Sequence, residues 1–377
     1  MIDAERVKKA FLDLIRINGP SRGERGVADY VKAKLSSLGF EVEEDDAGAK
    51  IDGDAGNVIA FLKGTVPGAV PIFLSCHMDT VEPTESLKVV FEGDTIKTDG
   101  TTILGADDRA GIAAVLEGIS DVLERDAPYG DIQVIFSISE EQGLRGAREM
   151  DHSKIRAKMG YVFDTERPVA GLTVSAPTHD CMLVEIHGRA AHAGIAPEKG
   201  VSAIVAASRA IAKMKLGRID SETTANIGKI EGGKARNIIP DLVTIGAEAR
   251  SRNNEKLDEQ VLHMTAVFEQ EAAKIGAKAI VTTTRQYSTY RWTAEDEVVK
   301  LAMAASRRIG IEPAFLEGGG GSDANIYNSI GIPALVVGTG YSGAHSTTEE
   351  MSVTDLAKTA EFAAALIECA AESGATS

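Results

Sequence analysis

The sequence contains little cysteine and few aromatic residues. Among 377 residues there are 3 Cys and 1 Trp, and aromatic residues make up 5% of the chain. The cysteines Cys76, Cys181 and Cys369 are scattered and form no CxxC pair, which argues against a disulfide framework. We expect all three to be packed as small apolar side chains in a protein of the reducing cytoplasm.

Positive charge and long apolar runs are also scarce. Lys and Arg number 40 against 56 Asp and Glu, a formal net charge of −16 at pH 7. Such a chain repels nucleic-acid backbones and anionic membrane surfaces, so neither is an expected partner. No segment approaches the roughly 18 apolar residues of a membrane span. Residues 1–17 mix charges of both signs, unlike a secretory signal.

The composition and length predict a two-domain α/β protein. Hydrophobic residues make up 44% of the chain, enough for a core, and amphipathic segments alternate with short apolar runs. Because these runs are apolar at nearly every position, we expect a mostly parallel sheet between two helix layers. The predicted helices are Glu5–Ile17, Glu24–Leu38, Ala110–Glu124 and Ala294–Ile309, and the predicted strands are Val58–Leu62, Ala69–Ser75, Asp131–Ser137, Gly160–Phe163 and Ile332–Val337.

The middle of the chain has a different pattern, with the order βαββαβ. Its predicted strands are Cys181–His187, Thr224–Lys229, Leu242–Ala249 and Ala279–Thr284, and its predicted helices are Val201–Lys215 and Glu255–Ile275. This order predicts a four-stranded sheet with two helices on one face, inserted into the larger domain. The expected division is therefore residues 1–176, an inserted domain over 177–290, and residues 291–377.

His77 ends an apolar strand and is followed two residues later by Asp79. Side chains two residues apart on an extended segment share a face, so Asp79 can accept the second ring N–H of His77. A metal-bound imidazole needs such a partner. Taken alone, the pair also fits an ordinary core or surface histidine.

Pairs of acidic residues stand at two further element ends. Asp107 and Asp108 lie in a Gly-flanked turn directly before an amphipathic helix. One Asp can cap that helix, and the other remains available to a partner such as a metal. Glu140 and Glu141 end an apolar strand. Such a pair is commonly solvated surface, but ligands of open α/β sheets gather at the carboxyl ends of strands.

Asp164 and His345 complete the candidate site, since each follows another predicted strand. Two histidines and three carboxylates, one of them shared, would give each of two divalent ions three protein ligands and leave space for water. The strand-end positions therefore predict a dinuclear metal site.

The chain resembles the family of dinuclear zinc peptidases that includes peptidase T, carnosinase-type dipeptidases, glutamate carboxypeptidase and aminoacylase. The resemblance runs through the whole chain in order and is strongest to the peptidase T branch. The matching segments are SCHMDT, DGTTILGADDRAG, SEEQG, FDTERP, HAGIAPEKG, GGKARNIIPD and GAHSTTEE. It implies a zinc-binding catalytic domain over 1–176 and 291–377, and a lid or dimerisation domain over 177–290.

The resemblance also implies a role for each candidate residue. One zinc would be held by His77 and Asp164, the other by Glu141 and His345, and Asp107 would bridge both. The same donors also suit Co²⁺ or Mn²⁺. Asp79 would orient His77, Glu140 would be the general base, and the Asp107–Asp108 peptide bond would be cis.

The implied reaction is hydrolysis of short peptides, with release of the N-terminal residue of a tripeptide by a water held between the two zinc ions. Asp rather than Glu at position 164 favours a substrate with a free amino terminus. A deacylase or carboxypeptidase-type amidohydrolase, acting on N-acylated or C-terminal substrates, is the alternative within the family.

The inserted domain contributes three expected substrate-binding residues. His192 would stabilise the oxyanion from the partner subunit of a homodimer, Asn237 would contact the substrate backbone, and Arg250 would clamp the substrate carboxylate. From the residues alone, His192 is equally well an ordinary loop histidine, and Arg250 a solvated cation.

Two functions from other classes stay open. A catalytically silent relative could serve as a binding module. An oxidoreductase could use the GxGxxG loop Gly338–Gly343, but the residues after that loop are polar and unlike the apolar helix start that the motif requires.

Overall fold

The computed structural model describes residues 1–373, so the last four residues of the predicted final part, 374–377, lie outside the described residues. The α-helices of the described chain are α1 Ala4–Ile15, α2 Arg25–Ser37, α3 Ala47–Lys50, α4 Ala106–Glu124, α5 Arg145–Glu149, α6 Ala203–Lys213, α7 Asn254–Ala273, α8 Glu297–Arg308, α9 Asp323–Ser329 and α10 Val353–Ser373.

The strands are β1 Glu41–Glu44, β2 Val58–Leu62, β3 Ile72–His77, β4 Val89–Glu92, β5 Thr95–Thr98, β6 Ile132–Ser137, β7 Met159–Val162, β8 Leu172–Ala176, β9 Thr178–His187, β10 Gly217–Arg218, β11 Thr223–Gly232, β12 Leu242–Ser251, β13 Lys278–Tyr287, β14 Tyr290–Arg291, β15 Phe315–Glu317, β16 Ala334–Val337 and β17 Glu350–Ser352.

The chain forms two compact units. The first comprises Met1–Val174, Arg291–Gly318 and the described residues from Ser322 onward, and we call it the catalytic unit after the role that the family resemblance implies. The second comprises Ser175–Tyr290 together with Gly319–Gly321, and we call it the inserted unit.

The catalytic unit is built on a nine-stranded mixed sheet in the order β1-β2-β6-β3-β7-β16-β8-β14, with β15 beside β8. Its centre is parallel, since β6, β3, β7 and β16 pair side by side in one direction. Strands β3 and β6 are buried at every position, as expected for a sheet covered on both faces. The predicted α/β class with a mostly parallel sheet is confirmed.

Helix α10 was not among the predicted helices, although it is the longest in the described chain. Most of its residues are buried, including six alanines, so its sequence shows little of the amphipathic period by which a surface helix is recognised. It packs along α4, and α1 and α8 pack against it. Strands β4, β5 and β17 form a small separate sheet that was not predicted either.

The inserted unit contains a five-stranded antiparallel sheet in the order β10-β11-β12-β9-β13. Burial alternates along β9 and β12, and their buried side chains share a core with helices α6 and α7. The four long strands and two helices follow the predicted order βαββαβ, but the expectation of four strands was wrong, because β10 adds a fifth between α6 and β11. The fifth strand, β10, has two residues, too few to show a sequence pattern.

No helix among residues 1–373 is both long and apolar enough to cross a membrane.

Close packing of α4 against α10 generates a stability prediction. A Cβ atom on Gly118 would lie 2.8 Å from the backbone oxygen of Ala360 and 2.9 Å from the backbone nitrogen of Ala364. Gly118→Ala should therefore lower the free energy of unfolding by about 1–3 kcal/mol, measured by urea denaturation. The control Ser120→Ala removes a hydroxyl bonded to the Leu116 carbonyl of the same helix, and should change it by less than about 0.5 kcal/mol. Equal stability of Gly118→Ala and the wild type would contradict this packing.

Candidate metal centre

Four neighbouring parallel strands present the candidate residues at their carboxyl ends. His77 is the last residue of β3, and Glu140 and Glu141 follow β6. Asp164 follows β7, and His345 lies in the loop after β16. These strands are adjacent, so the fold gathers side chains that are up to 268 positions apart in the sequence.

The first group of close side chains contains His77, Asp107 and Asp164. Nε2 of His77 lies 3.0 Å from Oδ1 of Asp107 and 3.6 Å from Oδ1 of Asp164. The His77 side chain is 1% exposed, so this imidazole faces carboxylates and not solvent.

The second group contains Asp107, Glu141 and His345. Nε2 of His345 lies 2.8 Å from Oε1 of Glu141 and 3.4 Å from Oδ2 of Asp107. The two carboxylate oxygens of Asp107 therefore face two different histidines. In each group the potential ligand atoms lie within 4.8 Å of one another, as they do in a third set formed by His77, Glu140 and Glu141.

These groups contain more carboxylates than histidines, and most of their side chains are buried. Both features shift pKa values within the groups. Burial raises the pKa of Asp164 to about 7. Hydrogen bonds to Asp107 and Glu141 raise the pKa of His345 to about 10. Burial raises the pKa of Glu140 well above its usual range, and the neighbouring Asp164 raises it further. Positive charge placed among these side chains would relieve their mutual repulsion.

The donor set fits divalent metal ions. Imidazole nitrogens and carboxylate oxygens are ligands for zinc, and cobalt and manganese accept the same mixture. Each of the two groups around Asp107 offers one histidine and two carboxylates. Three protein ligands for each ion leave a coordination position for water or substrate, the arrangement of catalytic sites.

Asp79 is fully buried and makes contacts in two directions. Nδ1 of His77 lies 2.9 Å from the backbone oxygen of Asp79 and 3.3 Å from its Oδ1. The carboxylate also accepts hydrogen bonds from the backbone N–H groups of Glu140, at 3.0 Å, and Glu141, at 3.2 Å. Ser21 Oγ donates to it at 2.6 Å. Asp79 thus connects the His77 strand end to the Glu140–Glu141 turn, a contact that the sequence did not indicate.

The backbone around Asp107 has a special conformation at the start of α4. The Asp107–Asp108 peptide bond is cis, as the family resemblance implied, and both residues have non-helical dihedral angles. The predicted helix began at Ala110, and the structure begins it at Ala106 across this irregular corner. Asp108 accepts a hydrogen bond from the backbone N–H of His77 at 3.2 Å, so its carboxylate faces the strand and not the ligand groups.

Two buried acids that support the site were missed as functional residues. Glu24 accepts hydrogen bonds from the backbone N–H groups of Arg22 and Ser139, both at 2.9 Å. Glu349 accepts from the segment that contains Asp107, as described below. Glu349 lies in the GAHSTTEE segment next to a second acid, a pattern that is typical of exposed residues. Only burial in the structure distinguishes Glu24 and Glu349 from surface acids.

Two of the expected substrate-binding residues, His192 and Asn237, are neighbours in the inserted unit. His192 forms a β-bridge with Ile238, and the backbone N–H of Ala193 donates to the carbonyl of Asn237 at 3.0 Å. Both His192 and Asn237 are exposed.

Arg250 lies elsewhere in the inserted unit. Nη2 of Arg250 donates to Glu248 at 3.0 Å, and Nε2 of His179 lies 2.9 Å from the same Glu248 oxygen. His179, and then Arg250, lower the pKa of Glu248 to about 2 against the effect of burial. Arg250 lies eight residues along β12 from Leu242. Leu242 pairs with His187, the last residue of β9, and His192 follows five residues later, so we call this the His192 end of the sheet. At roughly 3.3 Å per residue the separation is about 26 Å.

The Gly338–Gly343 loop follows β16, as the dinucleotide motif requires. The next helix, α10, starts only at Val353, after strand β17. The helix N-terminus that would bind a pyrophosphate is therefore missing from this part of the described chain.

Comparison with known families defines the class of protein. Residues 179–276 match the peptidase dimerisation domain of the M20 family, and residues 57–171 match peptidase family M28. The catalytic unit and the inserted unit thus both carry peptidase domains, so the protein is a peptidase of the M20/M28 type.

Individual relatives narrow this class. The chain is 44% identical over 372 residues to the uncharacterized protein YqjE of Bacillus subtilis (strain 168), covering 99% of this chain and 100% of the relative. The crystal structure of aminopeptidase PepT from Bacillus cereus ATCC 10987 matches with a TM-score of 0.90 at 44% identity, covering 98% of this chain and 99% of that one.

A tripeptidase from Staphylococcus aureus subsp. aureus Mu50 has a TM-score of 0.94 at 39% identity, covering 99% of this chain and 100% of that one. The chain therefore belongs to the M20 peptidase family, and the family resemblance inferred from its sequence is confirmed.

Proposed function

We propose that this M20 peptidase is a dinuclear zinc aminotripeptidase, which releases the N-terminal residue of short peptides. The observation that carries the proposal is the position of Asp107, whose two carboxylate oxygens face His77 and His345 from opposite groups. The similarity to an aminopeptidase and a tripeptidase supports the same activity. The domain proposal follows, with 1–176 and 291–377 catalytic and 177–290 a lid or dimerisation domain.

In this proposal the ligands are His77, Asp107, Glu141, Asp164 and His345. Asp107 would contribute to both metal positions, and the same donors suit Co²⁺ or Mn²⁺ as well as zinc. When bound, the ions would lower the pKa of a water molecule and polarise the scissile carbonyl. Four of the five ligand side chains are at most 11% exposed, so the ligand set is largely shielded from solvent.

Glu140 is the proposed general base. Its side chain is buried, and its backbone N–H donates to Asp79 at 3.0 Å, so the main chain that carries its carboxylate is fixed. A carboxylate oxygen of Glu140 would take a proton from the attacking water and later deliver it to the nitrogen of the leaving amine. Burial favours the neutral form of the acid and therefore makes its carboxylate a stronger base.

Asp rather than Glu at the proposed ligand position 164 favours a substrate with a free amino terminus. The carboxylate end of such a substrate would meet a positively charged group. Arg250, oriented by Glu248, offers a planar guanidinium that suits the carboxylate of a short peptide. His192 would donate to the oxyanion, and Asn237 would contact the peptide backbone.

The separation between Arg250 and the His192 end of the sheet supports a homodimer. A fully extended tripeptide spans about 10 Å, whereas Arg250 and Leu242 are about 26 Å apart along β12. One inserted unit therefore cannot place both Arg250 and His192 on the same tripeptide. We propose that His192 and the adjacent Asn237 act on the substrate of the partner subunit, through the domain that matches a peptidase dimerisation domain.

We also propose a cytoplasmic location, because all three cysteines are free and none requires an oxidising compartment.

Hydrolysis of a peptide panel tests this function. A free tripeptide should be cleaved, the same tripeptide with an acetylated amino group should not, and chelation should abolish turnover until zinc is restored. Di- and tetrapeptides of the same sequence define the length preference. Cleavage of the acetylated peptide instead would favour the deacylase or carboxypeptidase-type alternative. Bound metal without hydrolysis of any peptide would indicate a silent binding module.

Substitution of the base should separate catalysis from metal binding. Glu140→Gln should retain the metal content of the wild type and reduce kcat by about 10²–10⁴-fold, because the proton acceptor is removed and the ligands remain. Elemental analysis and steady-state kinetics measure the two quantities. The neighbouring Glu141→Gln should lose metal as well as activity. Near-normal kcat in Glu140→Gln would show that another group is the base.

The effect of replacing Arg250 on KM should depend on whether the peptide has a free C-terminal carboxylate. Arg250→Ala should raise KM for tripeptides with a free carboxylate by about 10–100-fold, the value of a lost charged hydrogen bond. KM for the corresponding peptide amides should change little. Arg252→Ala, two residues farther along the chain, is the matched control. The same increase in KM for free peptides and for their amides would show that Arg250 does not bind the substrate carboxylate.

A further inference from the structure

Glu349 is a buried carboxylate whose hydrogen bonds all reach one segment of the catalytic unit. It is 1% exposed. Its Oε2 accepts from the backbone N–H groups of Leu104, at 2.8 Å, and Gly105, at 2.7 Å. Its Oε1 accepts from the backbone N–H of Asp107 at 2.9 Å. Three N–H groups thus converge on one side chain, at the irregular start of α4.

The backbone of Glu349 belongs to the loop that carries His345. This loop is closed by reciprocal backbone hydrogen bonds between Ser342 and Glu350, both at 3.0 Å. Inside it, the N–H of Glu349 donates to the carbonyl of Ser346 at 3.1 Å. His345 itself has a positive φ of 60°, so the loop conformation determines where its imidazole points.

Glu349 therefore connects two segments that each present one side chain to the same ligand group. Its side chain holds the backbone of Asp107, and its main chain holds the loop of His345. Nε2 of His345 and Oδ2 of Asp107 lie 3.4 Å apart at the end of this connection. No direct bond of Glu349 to either ligand side chain is needed for the effect, because it acts through the backbone at both ends.

We propose that Glu349 is a positioning residue that sets the spacing of Asp107 and His345, and so prepares the second metal position before an ion binds. The inference rests on the proposed metal centre. Groups behind metal ligands commonly change metal affinity by about 10–100-fold when they are removed. A role in stability alone would lower the unfolding temperature of the metal-free protein but leave the affinity of the folded protein unchanged.

The test is zinc binding by the full chain, measured by competition with a chromophoric chelator after removal of metal. Glu349→Gln should weaken binding of one zinc equivalent by about 10–100-fold, because the amide offers one acceptor oxygen and turns an N–H group toward the backbone donors. The absorption spectrum of Co²⁺ at that position should change as well. Glu350→Gln is the matched control, since Glu350 is adjacent, partly exposed and bonded to none of the three N–H groups.

Glu349→Asp separates geometry from charge, because it keeps the carboxylate but withdraws it by one methylene. The proposal predicts weakened zinc binding in this variant too, and it also serves as the test if Glu349→Gln does not fold. Wild-type zinc affinity in a folded Glu349→Gln or Glu349→Asp variant would overturn the inference. A wild type that binds no zinc would instead overturn the proposed function, so the two failures are distinguishable.

Discussion

The structure depends on the accommodation of negative charge at one edge of a buried sheet. Asp107, Glu140, Glu141 and Asp164 are brought together with only two histidines among them. Carboxylates at this spacing repel one another strongly in a poorly hydrated place. The divalent cations of the proposed function would relieve this repulsion and so make the arrangement favourable.

The fold holds this charge in place chiefly through backbone N–H groups. Asp79 accepts from the Glu140–Glu141 turn, Glu24 accepts from Ser139 in the same turn, and Glu349 accepts from the segment of Asp107. Glu24 and Glu349 fix their segments through backbone N–H groups. Asp79 does the same and in addition lies 3.3 Å from Nδ1 of His77. The ligands thus stand at the ends of strands, at the start of α4 and in loops, and buried hydrogen bonds fix several of these segments. This is the arrangement expected for a preorganised site.

Much of the catalytic unit could be predicted because buried parallel strands appear in the sequence as short apolar runs. The runs ending at His77 and Ser137 are apolar at most positions, and the polar residues after them mark the sheet edge. Helix α10 could not be predicted in this way. Most of its residues, including six alanines, are buried, so its sequence shows little of an amphipathic period. Glu24 and Glu349 were missed for a related reason, because an acid that accepts backbone hydrogen bonds has the same local sequence as an exposed one.

Anomalous diffraction at the zinc absorption edge, from crystals of the zinc-loaded protein, tests the central claim most directly. The account predicts two peaks about 3.5–4 Å apart, one on each side of the Asp107 carboxylate, next to His77 and His345 respectively. A single peak, or zinc bound away from Asp107, would contradict the dinuclear centre on which the proposed reaction depends.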